Sequence, residues 1–280
     1  MNKILITAST GNIGQHVLSE LRSAGADFEV MSSTAAPGAR AASFDEPASL
    51  ARAFAGIDTL FLVLPLVPHK LQLAANVAHA AKAVGVKHIM RSSGAGADPQ
   101  SPFALPQLQG RVDALLADTG IATTFLRPAG FMQNYATFLA DAVRSGKLQA
   151  ASADAAQSLV DTRDIAAVAA HILLAPHPHA GKAYTLTGGV AQTDSERAAI
   201  FARVLGRPVS FESVPADAAR QGMLAAGYPA PMVDWLDSLN RLVALGYASA
   251  VSPDVANLLG RAPIAFEQFV LDHSTVWRVA

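Results

Sequence analysis

Residues 3–21 read KILITASTGNIGQHVLSEL. The first five residues are mostly β-branched or apolar and read as a buried strand. The later ones place Ile13, Val17, Leu18 and Leu21 at helical spacing. Between them stands Thr10-Gly11-Asn12-Ile13-Gly14. A strand that turns sharply into a helix leaves the first helical N–H groups unpaired, and the helix dipole there favours an anion. Gly11 lets the backbone approach a diphosphate, and Gly14 lets the helix close on the sheet. Thr10, Gly11, Asn12, Ile13 and Gly14 are therefore candidate dinucleotide-binding residues. Ala8 stands where a tight turn often uses glycine, which is acceptable if its φ is negative.

Working outward, apolar runs alternate with amphipathic segments. KILIT (3–7), FEVMS (28–32), TLFLVL (59–64), KHIMRS (87–92) and ATTFLR (122–127) read as strands buried on both faces. Helical patterns at 12–24, 69–84 and 106–119 separate them. A short strand is expected near 41–44, feeding a helix start at Asp45 and Pro47. Parallel strands need such crossovers, so the fold class is α/β: a doubly wound parallel sheet of Rossmann type. Gly85 and Gly120 sit where helices should stop.

Beyond about residue 150 the rhythm changes. Asp161 should cap a helix over 161–175, KAYTLTGG (182–189) reads as strand and turn, and Thr193 with Glu196 has capping-box spacing. Helical segments broken by prolines follow. The expected division is a dinucleotide-binding domain over 1–150 and a smaller, mostly helical substrate-binding region over 151–280, partly packing back on the sheet. That tail is expected to wall the sheet's C-terminal edge. Met223, Tyr228, Met232 and Trp235 have spacings that permit one shared face.

The 280 residues carry 21 basic and 22 acidic side chains, with no basic tract, so neither nucleic acid nor an anionic membrane is expected as a partner. Cysteine is absent, which excludes disulfides and thiolate chemistry. Apolar runs stop short of a membrane span, and no leader is expected; a cytoplasmic protein is the default. His177-Pro178-His179 reads as a surface turn with no third ligand in view, so no metal is expected. A homodimer is compatible with the sequence.

Other candidates follow from position. Ser32, Ser33 and Thr34 end the second strand, where an acidic residue would favour NAD. Hydroxyls there, with Arg40 able to swing in, lean towards NADP(H) over NAD(H). Asp45 is placed to meet the adenine edge or to cap a helix. Leu64 and Pro65 follow the fourth strand beside the cofactor. SSGAGADPQSP (92–102) contains a second Gly-x-Gly, but its prolines prevent a helix start, so it reads as a flexible active-site loop. Ser92 and Ser93 end the fifth strand in the crevice. In RPAGFMQN (127–134), Phe131, Met132 and Asn134 are candidate substrate contacts.

ITASTGNIG, FDEPASL, GVKHIMRSSGAGAD, TTFLRPAGFMQN, VDTRDIAAVA, YTLTGG and LGRPVSFESVP resemble, in order, the NmrA-like group of atypical short-chain dehydrogenases/reductases. That resemblance implies the Rossmann scaffold. It also implies a role among NAD(P)H quinone oxidoreductases, triphenylmethane-dye and imine reductases, or non-catalytic NAD(P) sensors. Two positions depart from the pattern: the family's first glycine is Ala8, and the arginine that grips the 2′-phosphate is Ser33.

Related reductases deliver a proton through a Tyr-x-x-x-Lys pair. Four residues after Tyr135, Tyr184, Tyr228 and Tyr247 stand Leu139, Gly188, Met232 and Val251, so no such pair exists. Gln109 falls where some relatives carry lysine or histidine; it hydrogen-bonds but is no acid. The catalytic candidates are Ser93 and Gln109. Hydride transfer to a ketone needs an acid, whereas a quinone, imine or dye yields a stabilised product. The expectation is an NAD(P)H-dependent reductase of a flat conjugated acceptor, with a cofactor-binding sensor as the alternative.

Overall fold

A computed structural model describes residues 2–34 and 36–278. Its elements group into two compact units. The first comprises residues 1–102, 106–128 and 165–185. It contains β1 (Ile4–Ile6), α1 (Gly14–Ser23), β2 (Phe28–Ser32), β3 (Ala39–Ala41), α2 (Pro47–Phe54), β4 (Thr59–Leu62) and α3 (Lys70–Val84). Next come β5 (His88–Ser92), most of α4 (Ala104–Ala117) and β6 (Ala122–Pro128).

The strands β1 to β6 pair in the order β3-β2-β1-β4-β5-β6, and each of these neighbouring pairs is parallel. A further strand, Lys182–Leu186, completes the seven-stranded sheet beside β6. Strand order reverses between β1 and β4. In open α/β sheets ligands bind at the carboxyl ends of strands flanking such a reversal. Thr7 fixes the width of this crevice: its hydroxyl donates to the Phe61 carbonyl (3.1 Å) and accepts from the Val63 N–H (2.9 Å).

Alternation explains the burial. Leu5, Leu60, Leu62, Ile89 and Phe125 form one core with Leu50 and Phe54 of α2, Leu73 and Val77 of α3, and Val112 and Leu116 of α4. Ile4, Ile6, Phe61 and Met90 point to the opposite face and are equally buried. Each such aliphatic side chain contributes about 1.5–3 kcal/mol by leaving water. Gly85 ends α3 in the left-handed conformation (φ 76°), as its place in the sequence predicts. The strand expected near 41–44 instead occupies Ala39–Ala41. Gly38 turns the chain at φ 75°, and pairing with β2 begins at once.

The second unit comprises residues 103–105, 129–164 and 186–280, of which residues 279 and 280 lie outside the described part. Its elements include α5 (Ala140–Ser145), β7 (Lys147–Ala150), the first turn of α6 (Thr162–Leu174) and, after the sheet strand β8 (Lys182–Leu186), α7 (Asp194–Leu205) and β9 (Ser210–Ser213). Then follow α8 (Ala216–Ala225), α9 (Ala230–Ala244), α10 (Asp254–Leu259) and α11 (Phe266–Asp272). Its core joins Tyr135, Phe201, Phe266, Phe269 and Trp277, whose rings meet mostly edge-on.

Five expectations for the later chain are resolved here. The Thr193–Glu196 capping box forms, and Asp161 caps α6 by accepting from the Arg163 N–H at 2.8 Å. The mostly helical tail also holds one short strand that the sequence did not announce, since β9 pairs with β7 as a parallel two-stranded sheet. The shared face for Met223, Tyr228, Met232 and Trp235 is also corrected: Gly227 (φ 83°) breaks the segment, so Met223 lies on α8, Tyr228 in the turn, and the other two on α9. His177-Pro178-His179 forms a 3-10 turn, but His179 is buried and its ring bonds the Tyr184 hydroxyl at 2.7 Å.

Candidate functional site

The turn after β1 is built by two close approaches. Gly11 N–H donates to the Ala8 carbonyl (3.1 Å), which folds the chain back on itself. A Cβ at Gly14 would fall 2.1 Å from that same carbonyl oxygen, so only glycine fits. Ala8 itself takes φ +52°, not the negative value its methyl prefers. The tight turn is thus kept in its glycine-like conformation by an alanine, at a cost of about 1–2 kcal/mol.

Helix α1 starts at Ile13 with no side-chain cap. Among the described residues, none accepts a hydrogen bond from the N–H groups of Asn12, Ile13 or Gly14. Gly11 has no comparable internal reason to be glycine. A Cβ there would meet only the Ala8 carbonyl at 3.4 Å, an ordinary contact. Bare amides, and a glycine that its own protein does not require, fit an anionic diphosphate lying against the turn.

At the end of β2, Ser32 and Thr34 form a local turn: the Thr34 N–H donates to Ser32 Oγ at 3.2 Å. Ser33 is exposed. Arg40 is engaged elsewhere. Its guanidinium pairs with both carboxylate oxygens of Glu29 and donates to the Ala53 and Ala55 carbonyls, each at 2.7 Å. The Arg40 hydrogen bond holds the Glu29 carboxyl down at about 2. Asp45 faces His69 across 3.1 Å, both exposed, and so links the chain after β3 to the loop after β4. In that second loop Leu64 is buried and Pro65 is exposed.

The end of β5 carries a cluster that no motif announces. Arg91, fully buried, donates to Asp113 and to Gln109 Oε1 on α4, and to Ser93 Oγ at 2.9 Å. The Ser93 hydroxyl donates to Asp113 (3.0 Å), which also accepts from Arg127 at 3.1 Å. Ser93 therefore spends its proton on Asp113. Gln109 has its carbonyl end fixed by Arg91, so its amide NH₂ turns the other way, towards Gly94. The Ser92 hydroxyl has no partner among the described residues. Gln109 and Asp113 have the i, i+4 spacing of a Tyr-x-x-x-Lys pair.

The 92–102 loop is clamped, contrary to its flexible reading. Ser93 and Ala95 N–H groups donate to the Leu126 and Pro128 carbonyls (2.7 and 2.8 Å). A Cβ on Gly110 of α4 would lie 2.2 Å from the Asp98 carbonyl carbon. Beside this cluster Lys70, the first residue of α3, is only 3% exposed. Burial, with Arg91 nearby, pushes its amine down to about 7, against a weaker opposing pull from Asp113. Sequence reading missed Lys70, Arg91 and Asp113, because they lie on three elements that only the sheet brings together.

In the second unit, Phe131 bridges to Val160, and Met132 N–H donates to the Val160 carbonyl at 3.0 Å. Met132 is buried against the aromatic core, while Asn134 is half-buried.

With that geometry in place, the sequence matches the NmrA-like family over residues 1–258. The chain belongs to the NmrA-like family. The NAD(P)H azoreductase of Xenophilus azovorans is 34% identical, with the alignment covering 99% of this chain and 100% of that protein. The NADPH-dependent quinone oxidoreductase of Escherichia coli, solved with NADPH, superposes with a TM-score of 0.87 at 27% identity, covering 97% of this chain and 99% of that one. The triphenylmethane reductase of Citrobacter sp., complexed with NADP(H), gives 0.84 at 25% identity over 97% and 99% of the two chains. This NmrA-like chain keeps the turn after β1 tight with Ala8 at φ +52°.

Proposed function

We propose that the protein is an NAD(P)H-dependent oxidoreductase that reduces a flat, conjugated acceptor such as a quinone, an imine or a dye. The observation that carries this reading is the uncapped start of α1, with three N–H groups that no described residue satisfies, beside a Gly11 that only an outside ligand explains. Names of relatives support it: one is an NAD(P)H azoreductase, and another an NADPH-dependent quinone oxidoreductase.

A reduced nicotinamide dinucleotide, when bound, supplies a hydride. The chain's own part is to hold and orient. Asn12, Ile13 and Gly14 N–H groups grip the diphosphate. Leu64 and Pro65 border the same crevice from the end of β4. Gln109, its amide set by Arg91, offers N–H donors beside Gly94 to an oxygen or nitrogen that gains charge as hydride arrives. Ser93 takes no part as a donor, because its proton belongs to Asp113.

The cofactor we assign is NADPH in preference to NADH, on the Ser32-Ser33-Thr34 end of β2, where no carboxylate waits for a ribose 2′-OH. Arg40 stays with Glu29, so hydroxyls carry that contact. Calorimetry with both reduced nucleotides tests binding, with NADPH expected to be the tighter. Loss of nicotinamide absorbance on adding quinones, azo dyes and imines tests turnover. Binding without consumption by any acceptor would replace this reading with that of a sensor.

A further inference from the structure

We propose that Lys70 is the proton donor of this reductase, filling the role left open by the missing Tyr-x-x-x-Lys pair; this rests on the reductase reading above. Lys70 opens α3 directly after the loop that leaves β4, on the crevice edge of the sheet. A lysine that is 97% buried is costly unless its charge is paired or its proton leaves. Among the described residues, none accepts a hydrogen bond from its amine and no carboxylate lies within ion-pair distance, and the amine is not one of the fully buried unpartnered atoms: the stem is buried while Nζ keeps access to solvent.

The charges that face Lys70 explain why it stays unpaired. From β5 comes Arg91, and from α4 comes Asp113. Asp113 is already held by Arg91 and, from β6, by Arg127. Two guanidiniums and one carboxylate leave the neighbourhood positive, so Asp113 cannot compensate a third cation. α2, packed along α3, carries only Arg52, which is exposed. The adjacent His69 faces outward to Asp45. An amine on a buried stem with a positive surround gives up its proton near neutral pH, where a general acid works best.

The step balances without further reagents. A reduced nicotinamide, when bound, would supply the hydride, which leaves an electron pair on the acceptor's oxygen or nitrogen. The Nζ–H bond of Lys70 breaks, a new O–H or N–H bond forms on that atom, and Lys70 is left as a neutral amine. Water then returns the proton. Gln109 steadies the same atom by hydrogen bonding but has no proton to give.

Two measurements test this together. The first follows lysine side chains by carbon-13 NMR in the protein without cofactor. One amine, absent in Lys70→Met, is expected to titrate near 7. The second compares turnover at saturating NADPH with a quinone against pH. Wild type is expected to lose rate tenfold per unit above its Lys70 titration and to show a solvent deuterium effect. Lys70→Met is expected to be at least tenfold slower at pH 7, with a flat profile and no such effect. Lys70→Arg keeps a fixed charge and is expected to be slow at every pH. Calorimetry checks that both variants still bind NADPH. Unchanged turnover in Lys70→Met, or a Lys70 amine that titrates with the other lysines, would overturn the assignment alone. Failure of wild type to bind NADPH or to reduce any acceptor would overturn the reductase reading and the Lys70 role with it.

Discussion

Gly11 and Gly14 stand three residues apart, yet the structure gives them different reasons to be glycine. Gly14 is required by the protein, because its missing Cβ makes room for the Ala8 carbonyl. Gly14→Ala is expected to cost several kcal/mol and to abolish nucleotide binding, since overpacking against backbone has no cheap relief. Gly11 is under no such constraint from its own protein, and the proposed cofactor reading gives it a ligand as its reason. Gly11→Ala is expected to leave the urea midpoint within about 0.5 kcal/mol of wild type while weakening NADPH at least tenfold in calorimetry, about 1.4 kcal/mol. Equal NADPH affinity in Gly11→Ala would remove the diphosphate from this turn. Ala8 supplies the converse case. At φ +52° it carries left-handed strain, so Ala8→Gly is expected to raise stability by roughly 0.5–1 kcal/mol. A drop in the thermal midpoint would contradict that.

Helix α7 shows what an element owes to its first turn. Thr193 accepts from the Glu196 N–H at 3.1 Å, and Glu196 answers by accepting from the Thr193 N–H at 2.8 Å. Thr193→Ala is expected to cost about 1 kcal/mol by urea titration, with NADPH affinity unchanged. This cap was legible in the sequence because its two residues are three apart, as were the strands, whose apolar runs need no knowledge of their partners. The turn between β1 and α1 was legible for the same reason. Elements that depend on distant partners were not. β7 and β9 are four residues each and pair across some sixty residues, so neither has a local signature. The Arg91–Asp113–Gln109 cluster and Lys70 were hidden likewise, and a charged residue inside an apolar strand, Arg91 in HIMRS, was the only signal available. Ala8 was misjudged because sequence shows a residue and not its φ.

At the scale of the whole molecule, Glu29, His88 and Lys70 are among the groups that tilt stability in one direction with pH. Glu29, held by Arg40, sits near 2 instead of 4.5, so its contribution is present above 4.5 and is lost as pH falls towards 2. His88 is buried with Nε2–H donating to Thr124 Oγ1 at 2.8 Å, since that hydroxyl gives its own proton to the His179 carbonyl. Desolvation takes His88 down to about 4 from 6.5, so acid must charge a buried ring, and stability falls as pH drops through 6.5. Lys70 extends the trend upward. Its amine moves from 10.5 to about 7, chiefly through burial, so between those values the unfolded chain holds a proton that the folded chain has released. Stability must then rise with pH across that window, by an amount on the order of 5 kcal/mol in all. Tyr135 closes the window, because burial raises its phenol above 10 and the unfolded chain is the first to ionise. Among these groups the folded state is therefore expected to be firmest near pH 10, above the usual optimum. Urea midpoints measured from pH 6 to pH 9 are expected to climb for wild type and to stay level for Lys70→Met, which should also start higher because an uncharged side chain fills the same space. A wild-type midpoint that is flat over this range would mean that Lys70 keeps its proton in the folded protein. The charge balance around Arg91, Arg127 and Asp113 would then have to be compensated from another quarter.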